Sequence, residues 1–245
     1  MLEAIPENQV FPLDAVRLSL DDAEHPWVVS DRAAIEAHWA REQVERPYLF
    51  NGTILMHRGL RLTDGLITGT SHRVPYAALL HLVRTWPEVD VFHLFGSPVI
   101  LSSDGAMLLI RMGQSTANPG RVYAPAGSLD LSDITGTQVD LDGGIYREAM
   151  EETGLDLSLH EPENRMFCWR RRGLVALFRR FACTETADRL AARMRAHIAT
   201  APEQEIEDVV IVRRPDDAGP TVPPYMQAMI DFHFDGPGFN SGWQA

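Results

Sequence analysis

Three glutamates lie close together in one short segment of the sequence, REAMEETGL at residues 147–155. If the segment is helical, Glu151 and Glu152 lie three and four residues beyond Glu148, so the carboxylates project within about one third of the circumference. This crowding of like charges becomes favourable when divalent cations bind among the oxygens, and hard cations such as Mg²⁺ prefer such ligands. The segment therefore predicts a metal site, and its alternative is a solvated acidic helix face.

The flanking residues favour the metal site, because REAMEETGL resembles the second half of the Nudix signature, GX5EX7REUXEEXGU with U an apolar residue. The first half is present but displaced, in PAGSLDLSD at residues 125–133. Five residues separate Gly127 from Asp133, which stands where the family has glutamate. Thirteen residues then precede Arg147, where the signature has seven, so this register implies an insertion before the helix.

The resemblance implies a fold and an activity for residues 96–245. The fold is α/β, a Nudix-type α/β/α sandwich with a mixed sheet. The activity is that of a pyrophosphohydrolase, an enzyme that hydrolyses the diphosphate bond of a nucleoside diphosphate linked to another moiety. Glu148, Glu151 and Glu152 would then hold Mg²⁺ or Mn²⁺, and Arg147 would orient these carboxylates. A metal held there neutralises diphosphate oxygens and lowers the pKa of an attacking water.

Other residues are candidates for binding and for proton transfer. In the family the general base comes from this helix or from a glutamate on a later loop, and Glu203 and Glu205 are the candidates on such a loop. Ordinary solvation of a loop is the alternative explanation for both. Gly127 opens the signature, and it is assigned to the binding site together with Arg111 and Arg121, which are expected to contact phosphate.

The elements that position these residues are predicted from periodicity and from turn signals. In the second part of the chain, helices are expected at 141–153, 185–199 and 224–232, and strands at 98–101, 106–110, 122–124, 174–181 and 209–212, with a hairpin turn at 170–173. In the first part, a helix is expected from a cap at Ser30 and Asp31 to just before Pro47, and a second at 75–84. Short strands at 53–56, 60–62 and 66–68 are expected to be separated by turns at Arg58-Gly59 and Asp64-Gly65.

Residues 1–95 are interpreted as a smaller N-terminal α+β segment with a role in substrate specificity or dimerisation. The stretch Phe50-Asn51-Gly52-Thr53 and the strands after it resemble, more loosely, the N-terminal region of Nudix enzymes that cleave UDP-sugars. This resemblance favours a nucleotide sugar of the UDP-glucose or UDP-galactose type, or ADP-ribose, as substrate. A homodimer is expected because relatives that act on such substrates often dimerise.

Composition excludes several other classes of function. The chain has 245 residues and a net charge of −12, and all 22 basic residues are arginine. The acidic balance disfavours binding to nucleic acid or to an anionic membrane surface. Two cysteines, no basic-then-apolar leader and no apolar run of about 20 residues lead us to expect a reduced, soluble, cytoplasmic protein.

Two alternatives within the resemblance remain open. A non-catalytic sensor of a nucleotide ligand could keep the fold, although such proteins tend to lose the helix carboxylates that this chain retains. Isomerase chemistry on allylic diphosphates is the other, although it usually needs a cysteine and a glutamate that we cannot match here. Zinc is not expected, since no two of the nine histidines are three or four residues apart.

Overall fold

A computed structural model describes residues 5–202 and 205–239 of the chain. The helices are α1 (Pro26–Glu45), α2 (Tyr76–Thr85), α3 (Leu141–Thr153), α4 (Ala187–Ile198) and α5 (Pro224–Asp235). The strands are β1 (Phe11–Leu13), β2 (Ala15–Asp21), β3 (Thr53–Thr63), β4 (Leu66–Pro75), β5 (His93–Leu101), β6 (Met107–Met112), β7 (Val122–Tyr123), β8 (Ile134–Thr135), β9 (Gln138–Val139), β10 (Glu161–Pro162), β11 (Met166–Arg171), β12 (Leu174–Ala182) and β13 (Ile206–Val212). Within the described ranges, no helix combines the length and the apolar character that a membrane span requires.

The larger sheet is mixed and has helices on both faces. Its order is β1-β11-β12-β5-β6-β13, with β12 parallel to β5 and the other pairs antiparallel. On β5, Phe95 packs against Tyr225 of α5, with ring centroids 5.4 Å apart, whereas the next residue, Gly96, faces Ile145 of α3. Because successive strand residues point to opposite faces, α3 and α5 cover opposite sides of the sheet. The predicted α/β/α arrangement is confirmed.

The smaller sheet, in the order β3-β4-β2-β9-β8, carries α1 and α2. Side chains of these helices form a second apolar core with strand residues, including Trp27 and Leu82 from the helices and Met56 and Val74 from the strands. Both helices therefore stay on this sheet by burying apolar area, which contributes roughly 25 cal/mol per Å².

Two N-terminal predictions are wrong in detail. Helix α1 begins at Pro26, ahead of the predicted cap at Ser30, because His25 caps it: Nδ1 of His25 accepts a hydrogen bond from the backbone N–H of Trp27 at 3.2 Å. Proline at the first helical position has a φ angle already suited to the helix. Arg58-Gly59 is not a turn, since β3 continues through it as a bulge that Gly59 permits with a φ of 62°.

The two sheets exchange strands. The inserted segment before α3 forms the β8-β9 hairpin, and it joins the smaller sheet where Gln138 pairs with Ser19 of β2. In the other direction, β1 joins the larger sheet by pairing with β11. Residues 1–95 and 96–245 thus interlock, and residue 95 lies within β5.

The predicted hairpin between β11 and β12 is confirmed. Arg171 pairs with Leu174, so Arg172 and Gly173 form the connecting turn. Arg170 belongs to β11, where its side chain forms an ion pair with Glu7 at 3.2 Å. The three arginines at 170–172 therefore form part of this hairpin, and Arg170 links it to the N-terminal segment.

Candidate active site

Helix α3, which contains REAMEETGL and is called the box helix below, is set by local signals at both ends. The side chain of Asp140 caps it by accepting from the backbone N–H of Gly143 at 2.9 Å, and Gly154 ends it in a left-handed conformation. Its buried face includes Ile145 and Ala149, which belong to the main core. This packing fixes the rotation of the helix, so that Glu148 and Glu152, one turn apart, project on the same side.

Both of these glutamates line a pocket of about 1070 Å³. Sites for small molecules typically measure about 300–1,000 Å³, so this pocket has room for a substrate of two parts. Gly127, Arg121 and Glu205 line the same pocket. Its other wall comes from the N-terminal segment, including residues of α1 and one side of α2.

Glu152 is the more deeply buried of the two carboxylates, with 9% of the residue exposed. One of its oxygens accepts a hydrogen bond from the backbone N–H of Ala126 at 2.8 Å. Burial raises the pKa of Glu152 well above its ordinary value, and the neighbouring charge of Glu148 raises it further. The folded chain therefore disfavours the charged form of Glu152 unless a cation binds beside it.

Glu148 shares this electrostatic situation. Burial raises its pKa to about 7, and repulsion from Glu151 adds to the shift, although the guanidinium of Arg147 opposes it. Oε1 of Glu148 lies 2.8 Å from Nη1 of Arg147. Its carboxylate also lies directly against Gly127, where a Cβ atom would overlap it. Glycine is thus required at position 127 for this close approach.

Arg147 is held by Asp133, the residue that stands at the position of the first glutamate of the signature. Its Nη2 lies 3.1 Å from each carboxylate oxygen of Asp133. Asp133 is 4% exposed, and its Oδ2 accepts from the backbone N–H of Asp130 at 2.9 Å in the short turn Leu131–Asp133. The turn brings this shorter side chain to the arginine and leaves Nη1 free to contact Glu148 and Glu151.

The structure does not bring all of the predicted site residues together. The side chain of Glu151 is 58% exposed, lies 3.0 Å from Nη1 of Arg147, and is not among the described residues that line the pocket. Arg111 does not line it either, because its neighbour Met112 does and successive residues of β6 face opposite sides. Arg121 and Glu205 do reach the pocket. Glu203 lies outside the described residues.

Sequence analysis missed several residues of the pocket. Tyr123 and Tyr225 line it, and burial followed by the charge of Glu152 raises the pKa of Tyr123. His93 lines it as well, with its Nε2 3.1 Å from Oγ of Ser128, and burial lowers the pKa of His93 to about 4. Ser128 follows Gly127 directly and could have been suspected, whereas the others lie far along the chain and reach the site only through the fold.

The residues present fit a divalent cation that is bound partly by the protein and partly by the phosphates of a bound substrate. In the parts of the chain that the structure describes, no group of three or more His, Cys, Asp or Glu side chains is arranged to hold a metal ion. Glu152, which is buried, and Glu148, which is partly buried, supply two carboxylates whose mutual repulsion a cation would relieve. Mg²⁺ typically uses one or two carboxylates, several waters and substrate phosphates. The donor set matches that mode.

The raised pKa of Glu148 predicts a pH dependence for the metal-free protein. A carboxyl group with a pKa of about 7 in the folded chain, against an ordinary 4.5, binds its proton more tightly when folded. Stability should therefore fall as the pH rises from about 4.5 through 7. We expect thermal unfolding in EDTA to show a lower Tm at pH 8 than at pH 5.5, and Mn²⁺ to reduce this difference. In Glu148→Gln the decrease in Tm from pH 5.5 to pH 8 should be smaller. An unchanged decrease would show that Glu148 is not the group that causes it.

Replacing Asp133 by asparagine tests its hold on Arg147. The amide keeps the size of the side chain but removes the negative charge to which Nη2 of Arg147 donates. The guanidinium should therefore shift towards the carboxylates of the box helix. We expect Asp133→Asn to lose roughly 10-fold in kcat/KM and about 1.5–3 kcal/mol of stability, the range for hydrogen bonds to charged groups. Asp142→Asn, at a half-exposed ion pair of the same helix, is the matched control. Equal effects in the two variants would contradict this role.

Comparisons with known proteins give low sequence identity throughout. No family model matches the sequence, and no curated protein matches it. Solved structures match parts of the chain: the MutT protein from Methanosarcina mazei Go1 is 16% identical, with a TM-score of 0.38 over 57% of this chain and 91% of that one. The Nudix hydrolase RenU from M. smegmatis is 15% identical, with a TM-score of 0.39 over 57% of this chain and 81% of that one.

A third similar structure is a bifunctional NMN adenylyltransferase/ADP ribose pyrophosphatase from Francisella tularensis, complexed with AMP and a Mn ion. It is 13% identical, with a TM-score of 0.42 over 64% of this chain and 46% of that one. The chain is thus similar to solved Nudix proteins at an identity that leaves activity unassigned.

Proposed function

We propose that the protein is a metal-dependent pyrophosphohydrolase that cleaves the diphosphate bond of a nucleoside diphosphate linked to another moiety. A nucleotide sugar of the UDP-glucose or UDP-galactose type and ADP-ribose are the leading substrates. The observation that carries the proposal is a pair of carboxylates, the buried Glu152 and the partly buried Glu148, at a pocket large enough for both parts of such a substrate. Two raised carboxylate pKa values in one cleft are typical of a functional site.

Glu148 and Glu152 would hold Mg²⁺ or Mn²⁺ in this proposal. When bound, the cation supplies positive charge to the diphosphate oxygens and lowers the pKa of an attacking water. The chain itself contributes orientation, because Asp133 fixes Arg147 and Arg147 in turn fixes the carboxylate of Glu148. Holding reacting groups in place removes an entropic part of the barrier.

Two more residues of the pocket have proposed roles. Arg121 offers a guanidinium to a phosphate oxygen, in a chain whose net charge of −12 otherwise repels such a substrate. Glu205 is the proposed general base, which would accept the proton from the attacking water. Its support is its place in the pocket and its charge, which contributes to the raised pKa of Glu152.

A substrate panel tests the proposal. Release of phosphate, coupled through an added phosphatase, would be measured with UDP-glucose, UDP-galactose, ADP-ribose, dinucleoside polyphosphates and nucleoside triphosphates, each with Mg²⁺, with Mn²⁺ and with EDTA. We expect turnover of one or two diphosphate compounds that EDTA abolishes. Turnover that EDTA leaves unchanged would overturn the role of the metal.

A nucleotide-binding sensor is the second candidate. The outward position of Glu151 favours it, because only two of the three helix carboxylates face the pocket. If no compound in the panel is turned over, but calorimetry shows that the same compounds bind to the folded protein, the protein would be a sensor and not a hydrolase.

A further inference from the structure

Residues 125–128, called the signature loop below, contact both carboxylates of the pocket. The backbone N–H of Ala126 donates to Glu152 at 2.8 Å, and Gly127 lies directly against the carboxylate of Glu148. A shift of the loop would therefore move the donor that holds Glu152 and change the space in which Glu148 lies. The position of both carboxylates depends on the position of this loop.

The signature loop lacks the support that a strand or a helix would give it. In the part of the chain that the structure describes, its residues make no hydrogen bond from backbone to backbone. Among the described strands, β5 pairs with β6 only through its last two residues, Ile100 and Leu101, so the earlier part of β5 is open on that side. Side chains must then hold a loop that lies there.

Two side chains of β5 contact the two ends of the signature loop. Oγ of Ser97 donates to the carbonyl of Pro125 at 2.9 Å, and Nε2 of His93 lies 3.1 Å from Oγ of Ser128. Ser97 and His93 are both buried, and they project on the same face because they are four residues apart on a strand. The first and last residues of the loop are thus fixed to one strand.

Strand β3 of the N-terminal segment fixes the backbone on either side of the contact between histidine and serine. The backbone N–H of Leu55 donates to the carbonyl of Leu129 at 2.7 Å, and Leu129 follows the loop directly. His57 exchanges two backbone hydrogen bonds of 2.8 Å with Phe92, the residue before β5. One strand therefore holds the neighbours of both partners, which sets the distance that the two side chains span.

We propose that His93 and Ser128 are a positioning pair, which holds the signature loop so that Glu148 and Glu152 are placed to bind a cation. The pair acts through the loop and does not itself contact the reacting atoms. The inference rests on the proposed function for the role of the cation. It gives the N-terminal segment a task at the site, because β3 aligns the two partners.

The same two residues could be viewed as a nucleophile and its base, since a serine hydroxyl beside a histidine is the usual arrangement of such a pair. Burial lowers the pKa of His93 to about 4, so the ring is neutral at pH 7. A general base works best when its pKa lies near the operating pH. This ring is better suited to holding a loop than to activating a hydroxyl.

The test uses Ser128→Ala, His93→Phe and the double variant in the full chain, with Ser128→Thr as the conservative change. Phenylalanine keeps a ring at position 93 but has no nitrogen, whereas threonine keeps the hydroxyl. Ser102→Ala is the matched control, because Ser102 is a buried serine in another turn and is not part of the described lining of the pocket. Its Oγ accepts from the backbone N–H of Ala106 at 2.9 Å.

The first measurement is hydrogen exchange of the Ala126 amide by NMR, in the metal-free protein. We expect exchange about 2- to 10-fold faster in Ser128→Ala and in His93→Phe, the effect of losing one hydrogen bond that restrains the loop. Ser128→Thr should stay close to the wild type. Ser102→Ala should lose thermal stability and leave exchange at Ala126 unchanged.

The second measurement is binding of Mn²⁺, with and without inorganic pyrophosphate, followed by electron paramagnetic resonance. Residues that orient metal ligands typically contribute about 10- to 100-fold in metal affinity, and we expect a loss in that range for each single variant. The double variant should lose no more than the weaker single variant, since both changes remove one contact. Losses that add in the double variant would overturn the pair.

The two proposals fail in different ways. If Ser128→Ala and His93→Phe exchange the Ala126 amide like the wild type and keep its kcat, the positioning role is rejected and the hydrolase stands. If the wild type neither binds Mn²⁺ nor turns over any substrate, the hydrolase is rejected. Faster exchange at Ala126 in both variants would then still support the hold of the pair on the loop.

Discussion

Glu152→Gln is expected to lower kcat/KM on a diphosphate substrate by roughly 10³-fold, because a metal-held charge contributes several kcal/mol to the transition state. Glutamine has nearly the same volume, and its carbonyl oxygen can still accept from the backbone N–H of Ala126. The substitution also removes a buried charge that Glu148 repels. Thermal stability of the metal-free protein should therefore stay the same or rise at pH 8, as differential scanning calorimetry would show.

The same change at an exposed helical carboxylate is the control. Glu36 lies on α1, is exposed and is not part of the described lining of the pocket, so Glu36→Gln should match the wild type in kcat/KM. Glu151→Gln should lose less activity than Glu152→Gln, since its side chain is directed out of the pocket. Turnover like that of the wild type in Glu152→Gln would remove the basis of the proposed function.

Arg180→Met is expected to cost about 3–5 kcal/mol of stability, a large part of the roughly 5–15 kcal/mol that stabilises a typical domain. Arg180 is fully buried on β12, where Nε and Nη2 donate to the two oxygens of Glu163 at 2.5 and 2.6 Å. It also donates to the carbonyls of Pro237 and Gly238, which ties the segment after α5 to the sheet. Methionine leaves the buried carboxylate of Glu163 without its cation.

Denaturant unfolding of four proteins would check this prediction. Arg193→Met, which breaks the more exposed ion pair with Glu185, should cost at most about 1 kcal/mol. The double variant Arg180→Met with Glu163→Leu should recover most of the loss, since an apolar pair often replaces a buried ion pair at little cost. Equal losses in Arg180→Met and Arg193→Met would mean that burial of the pair is not what makes it important.

The box helix is the element that the sequence alone determines best. Its limits follow from a capping aspartate, apolar residues at helical spacing and a final glycine, and it is observed at Leu141–Thr153 as expected. Spacing of four residues also placed Glu148 and Glu152 on one side, because the geometry of a helix relates neighbours within it. Such information is local, so it needs no knowledge of the partner elements.

The surroundings of the helix were decided by tertiary structure. Spacing does not say which of Glu151 and Glu152 is buried, because the packing of the core face determines which carboxylate is buried and which one stays in solvent with Arg147. Arg111 and Arg121 look equivalent in sequence, yet only Arg121 lines the pocket. Gln138 of the inserted segment pairs with Ser19 of β2, which lies more than a hundred positions earlier in the chain, and no local signal reports such a pairing.

Trp86 shows the same limit most clearly. Its position after an apolar helix and before Pro87 predicts only where α2 ends, and it does not reveal a left-handed backbone or a place on a pocket shared with the box helix. Sequence periodicity gives directions within one element, whereas a site needs distances between elements. Those distances are set by which apolar faces pack together, and that choice is made by the whole chain at once.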